Sequence, residues 1–159
     1  MIQYDFKSRI KQGSTLLVGE GNLSFSVSLI KSLKIFHSIT SSTYEEEHEL
    51  SRTTRINSII LKQEGLRIMH GVDATCLHNI FCLSTFYTII FQFPHSGSRD
   101  WLKGINANYL LVKKFIISAS QILRKNGVII ITIVDSEFYN KMFQFEKLTK
   151  DLKIKTLKN

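Results

Sequence analysis

The eight residues from Phe86 to Phe93 are almost wholly apolar. A strand of that kind cannot face water on either side, so it belongs near the centre of a parallel sheet covered on both faces. Around it, apolar runs of strand length alternate with stretches of helical periodicity, the order expected of a sheet with helices on both sides. Ser14 to Val18 reads as a buried first strand, followed by a glycine turn and a helix from about Leu23 to Lys34 with Phe25, Leu29, Ile30 and Leu33 on one face. Ile35 to Thr40 gives a second strand. The acidic run Tyr44 to Leu50 opens a helical stretch to about Glu64, with Glu45, Glu46 and Glu47 in the first turn where the helix dipole favours them, and Gly65 stops it. Leu66 to His70 is a third strand, and Phe86 to Phe93 a fourth that Pro94 ends because it offers no N–H to the ladder.

The irregular stretch from Pro94 to about Ile105 leads into a helix on which Leu111, Phe115, Ala119 and Ile122 repeat at helical spacing. Asn126-Gly127 is a turn, Val128 to Val134 a fifth, strongly β-branched strand, and Lys141 to Leu152 a mixed helix. The remaining chain has room for a short sixth strand from Lys153 to Leu157. The expected fold is α/β, a Rossmann-like three-layer α/β/α sandwich with a mostly parallel sheet that lacks some of the last strands such folds carry. An early end would leave an edge strand exposed, which favours a partner chain or marginal stability. There are no internal repeats and no linker, so residues 1–159 read as one domain.

At 159 residues the chain is long enough to bury about two thirds of its unfolded surface without disulfides. Cys76 and Cys82 have neither CxxC nor Cys/His ligand spacing and read as reduced thiols, while His37, His48, His70 and His78 are dispersed, so no metal is expected. Met1 to Gln12 contains no uninterrupted apolar core and no window reaches the ~20 apolar residues of a membrane span, which implies a soluble, unexported, cytoplasmic protein. The formal charge is +8, and from Arg99 to Asn159 there are 12 Lys and Arg against 5 Asp and Glu. Such asymmetry attracts polyanions, nucleic acid first among them, although a solvated lysine-rich surface gives the same composition. Trp101 with Arg99 and Lys103 could grip RNA by stacking and charge, or simply anchor a loop.

Chemistry is expected at the carboxyl ends of the strands, where the crossover direction reverses. After the first strand, Gly19 and Gly21 allow a tight turn and close backbone approach, and Asn22 or Ser24 can cap the following helix. A helix start with free N–H groups suits an anion, either a pyrophosphate or an amino-acid carboxylate. A dinucleotide fingerprint wants glycine where Ser24 stands, which removes the best support for a nicotinamide-dependent oxidoreductase.

Three strings carry a more specific likeness. Leu16-Leu17-Val18-Gly19-Glu20-Gly21-Asn22-Leu23-Ser24-Phe25-Ser26 resembles the opening of the 25S rRNA uridine-N3 methyltransferase-like family, whose members carry a near-identical GEGNFSFS. His70-Gly71-Val72-Asp73-Ala74-Thr75 is similar to that family's HGVDAT, and Ile89 to Gly97 to its IIFNFPHxG, so the resemblance spans roughly Gly13 to Tyr139. It implies a class I methyltransferase fold with S-adenosylmethionine as donor and RNA, in particular a uridine N3 of rRNA, as acceptor. It would place such a protein in rRNA processing, in the nucleolus if the source is eukaryotic. On this likeness Gly19, Glu20 and Gly21 would meet the methionine end of the cofactor, with Asn22 and Ser24 beside them. Asp73, next to Ala74, would accept from the adenine amino group, unless it caps the helix that begins near Ala74.

Phe93-Pro94-His95-Ser96-Gly97 would lie beside the methyl and the target base, where aromatic and proline groups stack on a flipped base and His95 orders its polar edge or its own loop. Uridine N3 must lose a proton to become nucleophilic, and His95 or Asp135 are the candidate bases. The chain departs from the family where Thr43 stands in place of an acidic residue suited to ribose hydroxyls, with Glu45 the nearest substitute. Gln92 replaces an Asn, and Asp135 to Tyr139 matches only loosely. These departures keep a second possibility open, a truncated or degenerate relative that binds adenosylmethionine or RNA without catalysis. The oligomeric state is left open.

Overall fold

The computed structural model describes residues 5–33, 38–98 and 106–154. Five strands, β1 (Thr15–Val18), β2 (Ile39–Ser42), β3 (Arg67–Met69), β4 (Phe86–Gln92) and β5 (Leu123–Thr132), pair in the order β3-β2-β1-β4-β5, all parallel. Helices α1 (Phe6–Lys11), α2 (Ser24–Leu33), α3 (Arg52–Gln63), α4 (Ala107–Ile122), α5 (Glu137–Phe143) and α6 (Phe145–Leu152) connect or flank them.

Side chains alternate faces along each strand, and the core divides accordingly. Leu17 and Ile90 point to a cluster with Ile10 of α1, Leu29, Ile30 and Leu33 of α2 and Leu61 of α3. Leu16, Val18, Ile89 and Phe91 point to the other, with Val112, Phe115, Ala119 and Ile122 of α4, Met142 and Phe143 of α5 and Leu148 of α6. This is the expected α/β/α sandwich. The rings of Phe91 and Phe115 meet edge to face with centroids 5.0 Å apart, which ties the centre of the sheet to the middle of α4.

The chain winds outward from β1 to β3, then returns to the other side of β1 to form β4 and β5. That reversal opens a crevice above the carboxyl ends of β1 and β4.

Several element boundaries differ from the sequence expectation. The second strand runs Ile39–Ser42 rather than Ile35 to Thr40, and 35–37 lie outside the described residues. Its polar residues Ser41 and Ser42 are fully buried because neighbouring strands and α2 supply partners: Ser42 Oγ donates to Leu17 O and Ser41 Oγ lies 2.6 Å from Ser26 Oγ. The acidic run does not start a long helix. Glu47–Glu49 make one 3₁₀ turn, and α3 begins only after Ser51, whose hydroxyl accepts from Thr54 N–H.

The fifth strand begins at Leu123, before the Asn126-Gly127 turn. Its register jumps from Phe86–Leu123 to Thr88–Val128, so Arg124 to Gly127 bulge around Asn126, whose φ is 64°. The last helical stretch is two helices, parted at Gln144 with φ 48°. Lys153, where a sixth strand was expected to begin, is instead the left-handed C-cap of α6, and 155–159 lie outside the described residues.

Candidate active site

Gly19 leaves β1 with φ 65°, a backbone that an L side chain rarely adopts. A Cβ there would also lie 2.7 Å from Phe91 Cε2, so this glycine is required by the Phe91 ring of the neighbouring strand β4. Gly21 is different: its φ is unremarkable and a Cβ would meet nothing within 4 Å. The turn closes on Leu23, fully buried and held at φ 61°.

The start of α2 is capped from within the turn. Asn22 Oδ1 accepts from Ser24 N–H at 3.0 Å, and the Glu20 carboxylate accepts from Ser26 N–H at 3.2 Å and Ser26 Oγ at 2.7 Å. Of the two expected caps it is thus Asn22 that acts, with Ser24 in the first helical turn. Both side chains take places that the sequence reading left for an external anion. Glu20 is only 8 % exposed, and burial raises its pKa above the ordinary glutamate value while the Ser26 hydrogen bonds oppose that rise.

Behind this turn, the ends of β2 and β3 are locked together. Thr43 N–H donates to Met69 O, Val72 N–H to Thr43 O, and Gly71 N–H to Glu45 O. Thr43 is fully buried, its hydroxyl donating to Glu45 O at 3.0 Å and lying 2.8 Å from His70 Nδ1. His70 Nε2 lies 3.4 Å from Ser58 Oγ, and burial lowers the ring's pKa, with Lys62 adding to the effect and Glu47 and Glu46 opposing it. Gly71 has φ 68°, and a Cβ there would run into the Glu46 carboxylate. Glu45 projects beyond this lock, and its Oε2 is buried without a hydrogen-bond partner among the described residues.

Asp73 caps a 3₁₀ helix, Ala74–Asn79, with Oδ1 accepting from Thr75 N–H at 2.7 Å and Thr75 Oγ1 at 2.8 Å. The capping role weighed in the sequence is therefore present. Oδ2 has no partner among the described residues.

On the other side, β4 ends at Gln92, and Phe93 takes φ 49° with its side chain 57 % exposed. A left-handed aromatic residue on a surface is sterically unfavourable, and such strain clusters at functional loops. Pro94 is buried; His95 is exposed, its Nδ1 accepting from Gly97 N–H at 2.9 Å. Asn108, fully buried in α4, holds the loop: its Oδ1 accepts from Ser96 N–H and Ser96 Oγ, both at 2.9 Å, and its Nδ2 donates to Ser98 O at 3.0 Å.

These segments surround a cavity of about 680 Å³. Of the residues anticipated from sequence, Gly19, Glu20, Gly21, Asn22, Ser24, Asp73, Ala74, Gln92 and His95 line it. Thr43, Pro94 and Asp135 do not: Thr43 turns to His70, Pro94 packs inward, and Asp135 is exposed on the segment after β5. Tyr44, Thr75, Phe91 and Leu111 line the cavity without having been anticipated, and Glu45 does so where it was only a substitute for Thr43. Asn108 had no local signal, since its role depends on a loop ten or more residues away. Arg99, Trp101 and Lys103 lie outside the described residues.

Among the described residues the lining contains three carboxylates, Glu20, Glu45 and Asp73, and neither Lys nor Arg. On a chain of formal charge +8 that is an inversion of sign, and it favours a cationic ligand over a phosphate-bearing one. Among the described residues no group of three or more His, Cys, Asp or Glu could hold a metal ion, and no helix is long and apolar enough to cross a membrane.

A family profile described as rRNA (uridine-N3-)-methyltransferase BTM5-like matches residues 16–159. The chain belongs to that family. It is 36 % identical over 129 residues to an uncharacterized protein of Arabidopsis thaliana, an overlap covering 74 % of this chain and 61 % of the relative. It is 34 % identical over 116 residues to the human ferredoxin-fold anticodon-binding domain-containing protein 1, covering 70 % of this chain and 18 % of that protein. Against the Arabidopsis heavy metal-associated isoprenylated plant protein 41, identity is 36 % over 124 residues, or 70 % of this chain and 23 % of the relative. The chain therefore spans less than two thirds of the length of each of these relatives.

Proposed function

We propose that the cavity binds S-adenosylmethionine and that the protein methylates RNA, with N3 of a uridine in rRNA as the acceptor. The observation that carries this reading is the cavity lined, among the described residues, by three carboxylates and no Lys or Arg, at the topological switch point of a strongly basic chain. A sulfonium and an ammonium are welcome there, whereas a pyrophosphate would face carboxylates.

The residues present fit such a group. Glu45 Oε2 is an acceptor lacking a partner at the end of β2, suited to ribose hydroxyls, and Asp73 Oδ2 is free to accept from the adenine amino group. Gly21 leaves open the space that a Cβ would fill, room for the methionine end against backbone. When bound, adenosylmethionine supplies an electrophilic methyl group on a sulfonium centre.

The acceptor side falls to the β4 loop. Phe93, half-exposed at the cavity mouth, offers a face on which a uracil stacks, and Asn108 keeps the loop in place. With Nδ1 engaged by Gly97, the neutral His95 ring carries its proton on Nε2 and so acts as a donor. Donation to a uracil carbonyl draws electron density from the ring and acidifies N3–H, which helps deprotonation without making His95 the base. Asp135, the other candidate base, lies outside the cavity wall. The exposed lysines Lys114 of α4 and Lys147 and Lys150 of α6 suit an RNA backbone. The reading places the protein where rRNA is made or used, in the nucleolus or cytoplasm.

A non-catalytic relative that only binds these ligands is the second reading, favoured by the place of Asp135 outside the cavity wall and by the engagement of His95 Nδ1 with Gly97. Transfer of tritium from labelled adenosylmethionine to total RNA, followed by nucleoside mass spectrometry, distinguishes them. Label in 3-methyluridine is expected; no label at saturating protein leaves only the binding role.

A further inference from the structure

Glu20 forms part of the cavity wall, yet among the described residues its carboxylate is held by neutral groups alone. Ser26 of α2 donates to it through both N–H and Oγ, and Ser26 Oγ is itself 2.6 Å from Ser41 Oγ of β2. The N–H of Glu20 donates to Ser42 O. From α3, Thr54 and Asn57 bond to Gly21 O and Asn22 O, while Arg55 of that helix is committed to His48 O and Leu50 O. Across the cavity the ionisable groups are Glu45, Asp73, Tyr44 and His95, and His70 lies behind Glu45, bonded to Thr43 and Ser58. Among the described residues neither Lys nor Arg lines the cavity beside Glu20.

We propose that Glu20 reads the charge of the bound cofactor: it ionises against the positive sulfonium, with loss of a proton to solvent, and so makes the cavity prefer the sulfonium over the neutral thioether that remains after methyl transfer. The inference rests on the adenosylmethionine reading above. A buried carboxylate without a counter-charge resists ionisation, and a cation brought into the same cavity removes part of that cost. By linkage, whatever favours the ionised form binds more tightly once the carboxyl has lost its proton. Affinity for the sulfonium therefore rises with pH through the titration of Glu20 and levels off above it. The thioether product, which keeps the ammonium and carboxylate of the amino acid but not the sulfur charge, gains less. Once the positive charge has left the cavity, Glu20 would recover a proton from solvent and hold a neutral ligand less tightly.

The test is calorimetric titration of the whole chain with adenosylmethionine and adenosylhomocysteine between about pH 5 and about pH 8, in buffers of different ionisation enthalpy so that released protons are counted. A one-unit shift of Glu20 on binding corresponds to about a tenfold rise in adenosylmethionine affinity across that range, with a smaller rise for adenosylhomocysteine. Glu20→Gln, which keeps an oxygen for Ser26 N–H, is expected to flatten the profile and to remove about tenfold of the preference for the sulfonium. Ser26→Ala, which deletes a donor that favours the ionised form, moves the midpoint of the wild-type profile to higher pH. An unchanged preference and proton count in Glu20→Gln, or an unmoved midpoint in Ser26→Ala, overturns the proposal. Absence of binding by either ligand at every pH overturns the adenosylmethionine reading itself, and this inference with it.

Discussion

The two sides of the cavity are built on opposite plans. On the β1–β3 side the wall is interlocked: Thr43, Gly71 and Val72 bond across from β2 to β3, Glu20 and Asn22 cap α2, and Asp73 caps its own 3₁₀ helix. On the β4 side the buried amide of Asn108 and a backbone bond from Phe93 N–H to Thr132 O hold a loop that presents Phe93, His95 and Ser96 to solvent. A wall whose backbone is fixed before the ligand arrives loses little freedom on binding and suits a small cofactor of defined shape. An open loop carrying an exposed aromatic suits an acceptor far larger than the cavity. If this division is correct, substitutions on one side should leave the other side's ligand untouched.

The largest separation is expected between the two glycines of the first turn. Gly19→Ala forces a Cβ into Phe91 at positive φ and should cost about 3 kcal/mol of stability, read as a lowered denaturation midpoint. Gly21→Ala, with open space around the new methyl group, should change stability by no more than about 0.5 kcal/mol while weakening adenosylmethionine binding at least about tenfold by calorimetry. If both variants were equally stable, the distinction between a glycine required by packing and one required by a ligand would fail.

Asp73→Asn comes next. Asparagine caps a helix about as well as aspartate, so the 3₁₀ helix should persist, yet an acceptor for adenine is weakened and cofactor affinity should fall by about 1.5–3 kcal/mol. Phe93→Ala belongs to the other side: RNA binding or methyl transfer should lose about 1–3 kcal/mol of stacking, with cofactor affinity unchanged in a parallel titration. A fall in adenosylmethionine affinity in that variant would show that the two walls are not independent.

The smallest effect expected is a pH dependence of stability in the absence of ligand. The folded-state pKa of Glu20 is raised by burial, so its contribution to stability is fully present below the ordinary glutamate value and is lost as pH rises through the raised one. Glu20→Gln should remove that slope, as followed by denaturant midpoints across the acidic range.

The contrast also explains what could be read from the chain directly. The apolar runs of β1 and β4, the glycine turn and the α4 stripe of Phe115, Ala119 and Ile122 are local periodicities, and a parallel sheet covered on both faces follows from their alternation. Features that depend on contacts distant in sequence were hidden. Ser41 and Ser42 look like surface residues until Ser26 and Leu17 O supply their partners, so the second strand was read too early. Glu45 looks like the first turn of a helix until Gly71 and Thr43 bind its carbonyl and hold the segment extended. Thr43 stands in the position expected for a ribose-binding acid, but its hydroxyl is consumed by His70, and the unpartnered carboxylate lies two residues further on. Gln144 at positive φ, which parts α5 from α6, carries no composition signal at all.

The central claim is that an acidic pocket on a basic protein selects a cationic adenosyl ligand. Direct competition between adenosylmethionine and NAD, followed by calorimetry at neutral pH and moderate salt, tests it without any assumption about catalysis. Adenosylmethionine is expected to bind at one site at least about a hundredfold more tightly, a difference of roughly 2.7 kcal/mol. Equal or tighter binding of the phosphate-bearing dinucleotide would contradict the claim.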